Sequence, residues 1–380
     1  MIVKDEAASI TGTINSVKGS VDRYCILDTG SKDDTINLIQ RAFQGIPGKV
    51  YQEPFVDFST TRNRVLELAG KECQYTLMLS GDEYLHNGDK IVDYLKNLKN
   101  PIGGLEVKVK YGQTAYNSIR ICNTDYQWTY VGVTHEYVMS KTPGTRTVIY
   151  PFNNDKDPFI LHDLSTFNLT SKRKRWQLDR DLLLADLEKD PTNTRTVFYL
   201  AQSFDCLDDL VNAYKYYHLR FEMGGWIEER YEALSRMAGL MERMGYAWGM
   251  AEEKHLQAFE FFPKRAESLY RIAKHWYDEK QYEVAFLFAS RAYQIPFPTQ
   301  VRLFINPDIY SFYIPELLSH ICTHLKEHTD IGLEATEKCL QRYPANTQLR
   351  NNQRIFQNRL QAPSYKTLAH VSLSVLPNPL

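Results

Sequence analysis

Asp82 and Glu83 are adjacent carboxylates that follow at once on an apolar, strand-like run in "YTLMLSGDEYL". Such a pair serves either as a solvated, helix-capping turn or as a grip on a hard divalent cation, since Mg²⁺ and Mn²⁺ take oxygen ligands and keep positions open for phosphate. An ion that bridges a diphosphate offsets the charge building on a departing nucleotide. That is the chemistry of sugar transfer from an activated donor. Asp28 ends a second apolar run, "YCILD", ahead of Thr29 and Gly30. In open α/β sheets ligands gather beyond the carboxyl ends of the strands, so Asp28 and Asp82 are expected to face one cleft.

The elements that must hold these residues show in the periodicity. Residues 1–3, 24–27, 49–51 and 75–79 read as strands. Between them, helical stretches carry Ile10, Ile14 and Val17, then Ile36, Ile39 and Phe43, then Val65, Leu66 and Ala69. This alternation predicts a parallel or mixed sheet with crossover helices. Ser31 with Asp34 resembles a capping box for the second helix, and Ser59 is expected to cap the third. From Leu105 the pattern turns to period two, with Leu105, Val107, Val109 and Tyr111 on one face, and "SIRIC" and "TVIYPF" continue as strands of a more antiparallel part.

Beyond Thr170 the pattern is almost wholly helical, and it repeats. Ala201 stands to Ala213 as Ala273 stands to Ala285, with Ala238, Ala251, Ala258 and Pro263 in roughly matching places between. Small residues at those positions of a unit of about 34 residues let two antiparallel helices approach closely, as in tetratricopeptide repeats. The best unit is "SLYRIAKHWYDEKQYEVAFLFASRAYQIPFP", and "DIGLEATEKCLQRYPAN" reads as a degenerate terminal one. Residues 1–165 are thus expected to form one domain and 166–360 a helical repeat domain, with 361–380 a tail expected to be disordered.

Composition excludes several classes. A net charge of -1 with 43% hydrophobic and 24% charged residues describes no nucleic-acid or membrane surface. The short basic run "KRKRWQLDR" is followed at once by acids and reads as a solvated helix start. The six cysteines are widely spaced, with no zinc pattern, and no apolar run is long enough to span a membrane. A cytoplasmic protein is expected, for which the sequon at Asn168 has no meaning. Phosphate-binding Gly-rich loops, nucleophile elbows and His-Glu-x-x-His helices are missing from the sequence.

"MIVKDEAASI", "CILDTGSKDDT", "FVDFSTTRNRVLELA", "LMLSGDEYL" and "WTYVGVTHEYV" occur in the order and approximate spacing of glycosyltransferase family 2. Over residues 1–360 the chain resembles the enzymes of that family in which a short GT-A domain precedes tetratricopeptide repeats. The resemblance implies an α/β GT-A domain with a Rossmann-like mixed sheet, then an all-α repeat domain. It implies a metal-dependent inverting transferase that moves a sugar from a nucleotide-sugar donor, most often a UDP-sugar, to a hydroxyl of a glycan or glycoconjugate. It further implies that Asp28 meets the nucleotide base, that Val3 and Glu6 flank base and ribose, and that Arg62 approaches base or diphosphate. Asp82 would bind Mn²⁺ or Mg²⁺ with the diphosphate, beside Ser80 and Gly81, with Glu83 as a supporting or alternative ligand. Arg64 reads as part of a solvated helix face.

Inverting transfer needs a carboxylate to take the acceptor's proton, and Glu136 is the candidate base. On an extended segment its neighbour His135 would face the opposite side, toward metal or phosphate. His162 resembles a family position near the active site, and Trp128 and Tyr130 would line the acceptor pocket. Two departures stand out: Ser80 occupies the place of the family's first Asp in Asp-x-Asp, and the chain begins directly with the first strand. Ser80 also admits a scaffold whose transferase domain has lost activity, and a nucleotidyltransferase on a related sheet is a further alternative. The repeats are expected to complete the acceptor side or to bind a protein partner.

Overall fold

A computed structural model describes residues 1–112, 114–162 and 169–361. The tail after Pro363 and the sequon residue Asn168 lie outside the described residues. The chain divides into two compact units, Met1–Leu207 and the residues from Asp208 onward. The first unit therefore includes two helices beyond residue 165.

In the first unit β1 (Ile2–Val3), β2 (Tyr24–Asp28) and β3 (Gly48–Gln52) form a parallel ladder in that order. Parallel neighbours require crossovers, here α1 (Ile10–Val17) and α2 (Thr35–Ala42). The stripe predicted on α1 is the buried one: Ile10, Ile14 and Val17 face inward. Ile10 and Ile14 meet Val3, Ile26, Ile39 and Phe43 in one core. Phe43 also stacks on Tyr24 at 4.3 Å.

The chain continues through α3 (Phe58–Ala69), β4 (Tyr75–Leu77), β5 (Glu83–His86) and α4 (Gly88–Lys96). Then come β6 (Gly104–Tyr111), β7 (Thr114–Asn123), the hairpin of β8 (Trp128–Val131) and β9 (Tyr137–Ser140), β10 (Thr147–Ile149) and β11 (Phe159–His162). A second sheet has the order β4-β7-β6-β11-β5, with β10 beside β6. The period-two reading from Leu105 matches the antiparallel pairing of β6 and β7, where Leu105, Val107 and Val109 are fully buried and Tyr111 emerges at the strand end.

Three local expectations give way. The fourth strand stops at Leu77 and pairs with β7, so the alternation yields two sheets where one was expected. An apolar cavity of about 320 Å³, lined in part by Cys25, Val65, Leu77 and Ile91, lies between them. Helix α2 begins after Asp34, not Ser31, and its first N–H is met by Asp33 Oδ1 at 3.0 Å. Helix α3 is capped by Asp57, which accepts from the Thr60 N–H at 2.7 Å, whereas the Ser59 hydroxyl donates to Asp57. A carboxylate outcompetes a hydroxyl here because it accepts several bonds and suits the positive helix end. Helices α5 (Leu169–Lys189) and α6 (Thr194–Cys206) complete this unit.

The second unit is helical: α7 (Leu210–Glu222), α8 (Ile227–Arg243), α9 (Trp248–Phe261), α10 (Glu267–Asp278), α11 (Tyr282–Tyr293), α12 (Ile314–His324), α13 (Thr329–Arg342) and α14 (Thr347–Gln361). Consecutive helices pack on one another, and short connections make neighbours antiparallel. The alanines that defined the repeat, Ala213, Ala238, Ala251, Ala258, Ala273 and Ala285, are all fully buried, as a close helix crossing requires. Gly332 serves the same end at α13, where a Cβ would come within 2.6 Å of Cys322. Between α11 and α12 the repeat is broken by a long connection, which Glu228 ties down by accepting from the Arg302 and Leu303 N–H groups at 2.8 and 2.7 Å. Among the described residues no helix is long and apolar enough to cross a membrane.

Candidate active site

At the end of β2 the Asp28 carboxylate is buried and sits opposite Val3 of β1 in register. Its Oδ1 accepts from the Gly30 and Ser31 N–H groups, each at 3.0 Å. Its Oδ2 is buried with no hydrogen-bond partner among the described residues. A buried carboxylate oxygen left unpaired is costly, and a donor on a ligand would relieve it.

The loop after β1 is stitched to the loop after β2. The Asp5, Glu6 and Ala7 N–H groups donate to Ser31 Oγ, Thr35 Oγ1 and Asp33 Oδ2, and the Lys32 N–H donates to Asp5. This lattice fixes Glu6, which packs on Gly81: a Cβ there would lie 2.8 Å from Glu6 Cγ, so only glycine permits the approach. The Thr13 hydroxyl donates to the Gly81 carbonyl at 2.7 Å and locks the same turn. Burial, with the charges of Asp82 and Asp33, raises the Glu6 pKa against the opposing hydrogen bond from Ser9.

The Ser80-Gly81-Asp82 turn is held from below by Glu83. One oxygen of this buried carboxylate accepts from the Ser80 N–H at 2.8 Å, and both accept from Arg120 of β7, at 2.9 and 2.7 Å. Glu83 is thus committed to bracing the turn. Asp82 faces His162, whose Nε2 lies 3.2 Å from Asp82 Oδ2. The register of β11 against β5 sets His162 opposite Glu83 and that against β6 sets it beside Tyr111, whose ring meets the imidazole edge-on at 4.9 Å. Burial alone would depress the His162 pKa, but the hydrogen bond and charge of Asp82, helped by Glu83, raise it above the usual imidazole value.

Arg62, on α3, completes the group. Its Nε donates to Glu136 Oε1 at 2.5 Å and its Nη2 lies 3.4 Å from Ser80 Oγ. Its guanidinium lies over the Tyr130 ring at 5.6 Å. Arg64, one residue pair along, faces outward onto Glu53 and Glu67, as expected. Arg62, Glu136, Ser80, Gly81, Asp82, Glu83, His162 and Glu6 are thus linked around one turn, and Val3 and Asp28 join them through the hydrogen bonds between the loops after β1 and β2.

His135 departs from expectation. Residues 132–135 bend, with His135 at φ 49°, so the opposite-sides geometry of an extended segment does not apply. Its ring stacks on Tyr199 of α6 at 4.1 Å, and its carbonyl accepts from Arg195 at 3.0 Å. Burial lowers its pKa, with Asp179 opposing. The neighbouring Thr134 hydroxyl donates to the buried Asp179 of α5 at 2.7 Å, and Arg175 donates to the same oxygen at 2.9 Å. Tyr130 is core, and the Trp128 Nε1–H is engaged by the Asn123 carbonyl at 3.0 Å, so these two rings serve packing.

Sequence reasoning missed Arg120, Thr13, Asp33 and Asp179. Arg120 did leave a signal, as a charge between Ile119 and Ile121 in an apolar strand demands a buried partner.

No family model matches the chain. It is similar to the SPbeta prophage-derived glycosyltransferase SunS of Bacillus subtilis (strain 168) and to glycosyltransferase SunS of Bacillus phage SPbeta, each 25% identical over 215 residues, 55% of this chain. The chain spans about half, 49%, of the length of these curated relatives. Among solved structures, that of MamA overlaps 48% of this chain and 98% of its own at 12% identity, with a TM-score of 0.35. The tetratricopeptide repeat protein YrrB overlaps 49% and 88% at 11% identity, with a TM-score of 0.34. Overlaps of that size assign no fold.

Proposed function

We propose that the first unit is a glycosyltransferase of the GT-A, family 2 kind, moving a sugar from a nucleotide-sugar donor, a UDP-sugar foremost, to a hydroxyl of a glycan or glycoconjugate with inversion. The observation that carries this reading is the convergence of Asp28, Glu6, the Ser80-Gly81-Asp82 turn, Arg62 and Glu136 on the strand ends where α/β sheets bind nucleotides. Distant similarity to two glycosyltransferases supports it.

Asp28 Oδ2 accepts a base N–H, while Arg62 supplies a planar cation for phosphate oxygens. Asp82 and His162 offer one oxygen and one imidazole nitrogen, since Glu83 is held by Arg120 and Ser80 has no charge. That small donor set fits a Mn²⁺ or Mg²⁺ ion, which is commonly bound by one or two protein groups with phosphate and water completing its shell. Such an ion offsets the charge of the leaving diphosphate. Glu136 accepts the acceptor's proton as the hydroxyl attacks the anomeric carbon from the face opposite the diphosphate. The helical repeats bind the acceptor or a protein partner.

Thermal unfolding with uridine and guanosine diphosphate sugars, with and without MnCl₂, tests the reading. A donor-dependent rise in Tm that MnCl₂ enlarges is expected. A second reading, a scaffold without turnover, is favoured by Ser80 in place of a carboxylate; it predicts no donor response under any of these conditions.

A further inference from the structure

Arg62 reaches two places that the transferase reading assigns to different substrates. Its Nε holds Oε1 of Glu136, the carboxylate that reading makes the base, and its Nη2 leans on Ser80 Oγ at the diphosphate turn. The pair is shielded from solvent, with side chains 11% and 12% exposed. The third nitrogen, Nη1, is buried and has no hydrogen-bond partner among the described residues. A guanidinium with one arm on a carboxylate, one on a weak acceptor and one uncommitted is poised to change partners. A diphosphate offers more charge and more acceptors than a single carboxylate, and it suits the guanidinium's forked donors.

We propose that Arg62 is a shared cation that the donor diphosphate draws away from Glu136, so that donor binding uncovers the base. The inference rests on the transferase reading and deepens it. Coupling between the two contacts is reciprocal: whatever loosens Arg62 from Glu136 must strengthen diphosphate binding by the same factor.

Calorimetric titration of the full chain with uridine and guanosine diphosphate in MnCl₂ tests this, with no acceptor required. Glu136→Gln keeps the shape but discharges the carboxylate, and it is expected to bind the diphosphate about 5-fold or more tighter than the parent. Arg62→Met is expected to bind it more weakly, and the double variant no tighter than Arg62→Met alone. Unchanged or weaker binding by Glu136→Gln overturns the inference while leaving the transferase reading in place. Binding of neither nucleotide to the parent overturns the transferase reading and this inference with it. Should Arg62→Met not fold, as circular dichroism will show, Glu136→Gln alone decides.

Discussion

Glu83 and Asp82 are neighbours in sequence with opposite duties, and the difference is measurable. Glu83 is bound bidentately by Arg120 in a buried pair, so removing the cation with Arg120→Met leaves an uncompensated buried anion. Urea unfolding should show a loss of about 3–5 kcal/mol. Glu83→Gln should likewise cut stability and leave Mn²⁺ affinity nearly unchanged; a variant that instead keeps its stability and loses the ion would make Glu83 a ligand. A second residue sets a pH window. Asp33 accepts from the Thr35 hydroxyl and N–H and from the Ala7 N–H; burial opposes, but these bonds hold its pKa below the ordinary value. A depressed carboxylate stabilises the fold above its unfolded pKa of about 3.9 and loses that contribution as pH falls through the folded value. Asp33→Asn should therefore unfold at a lower Tm than the parent at pH 6, and the gap should narrow as pH falls below about 3.9; a gap that stays constant there would assign the effect to shape.

The elements themselves were largely legible, and their junctions were not. Apolar spacing alone placed Ile10, Ile14 and Val17 on the buried face of α1 and Leu105, Val107 and Val109 inside β6, because period and burial share one cause. Caps were misread where two candidates compete within three residues, as at Asp57 and Ser59. Asp57→Ala should cost about 1 kcal/mol by chemical denaturation, and Ser59→Ala much less. An equal loss in both would return the cap to a shared role. Strand partners were beyond reach, since the pairing of β4 with β7 depends on contacts 46 residues apart, such as the Thr76 hydroxyl on the Cys122 carbonyl. At the site, residue type and order put Asp28 and Asp82 at strand ends, and the family resemblance added Arg62 and Glu136, which the structure brings into contact with each other. The bend that turns His135 onto Tyr199 was not legible, because a left-handed φ at a non-glycine residue leaves no mark in composition.

In the whole molecule the residues proposed to face a nucleotide all belong to the first unit, whose integrity draws on α5 and α6 through Asp179 and Tyr199. The second unit is built by close helix crossings at buried alanines and is described by its own core. The transfer reading places all bond-breaking chemistry in the first unit and makes one demand on its products: the sugar-phosphate bond must break, with both phosphates leaving on the nucleotide. Phosphorus NMR of a uridine diphosphate sugar incubated with the protein and MnCl₂ reads this directly, water standing in as a slow acceptor. The account predicts that uridine diphosphate accumulates with the parent protein and that Asp82→Ala abolishes it. Uridine monophosphate and sugar 1-phosphate in its place, or an Asp82→Ala rate equal to the parent's, would contradict it.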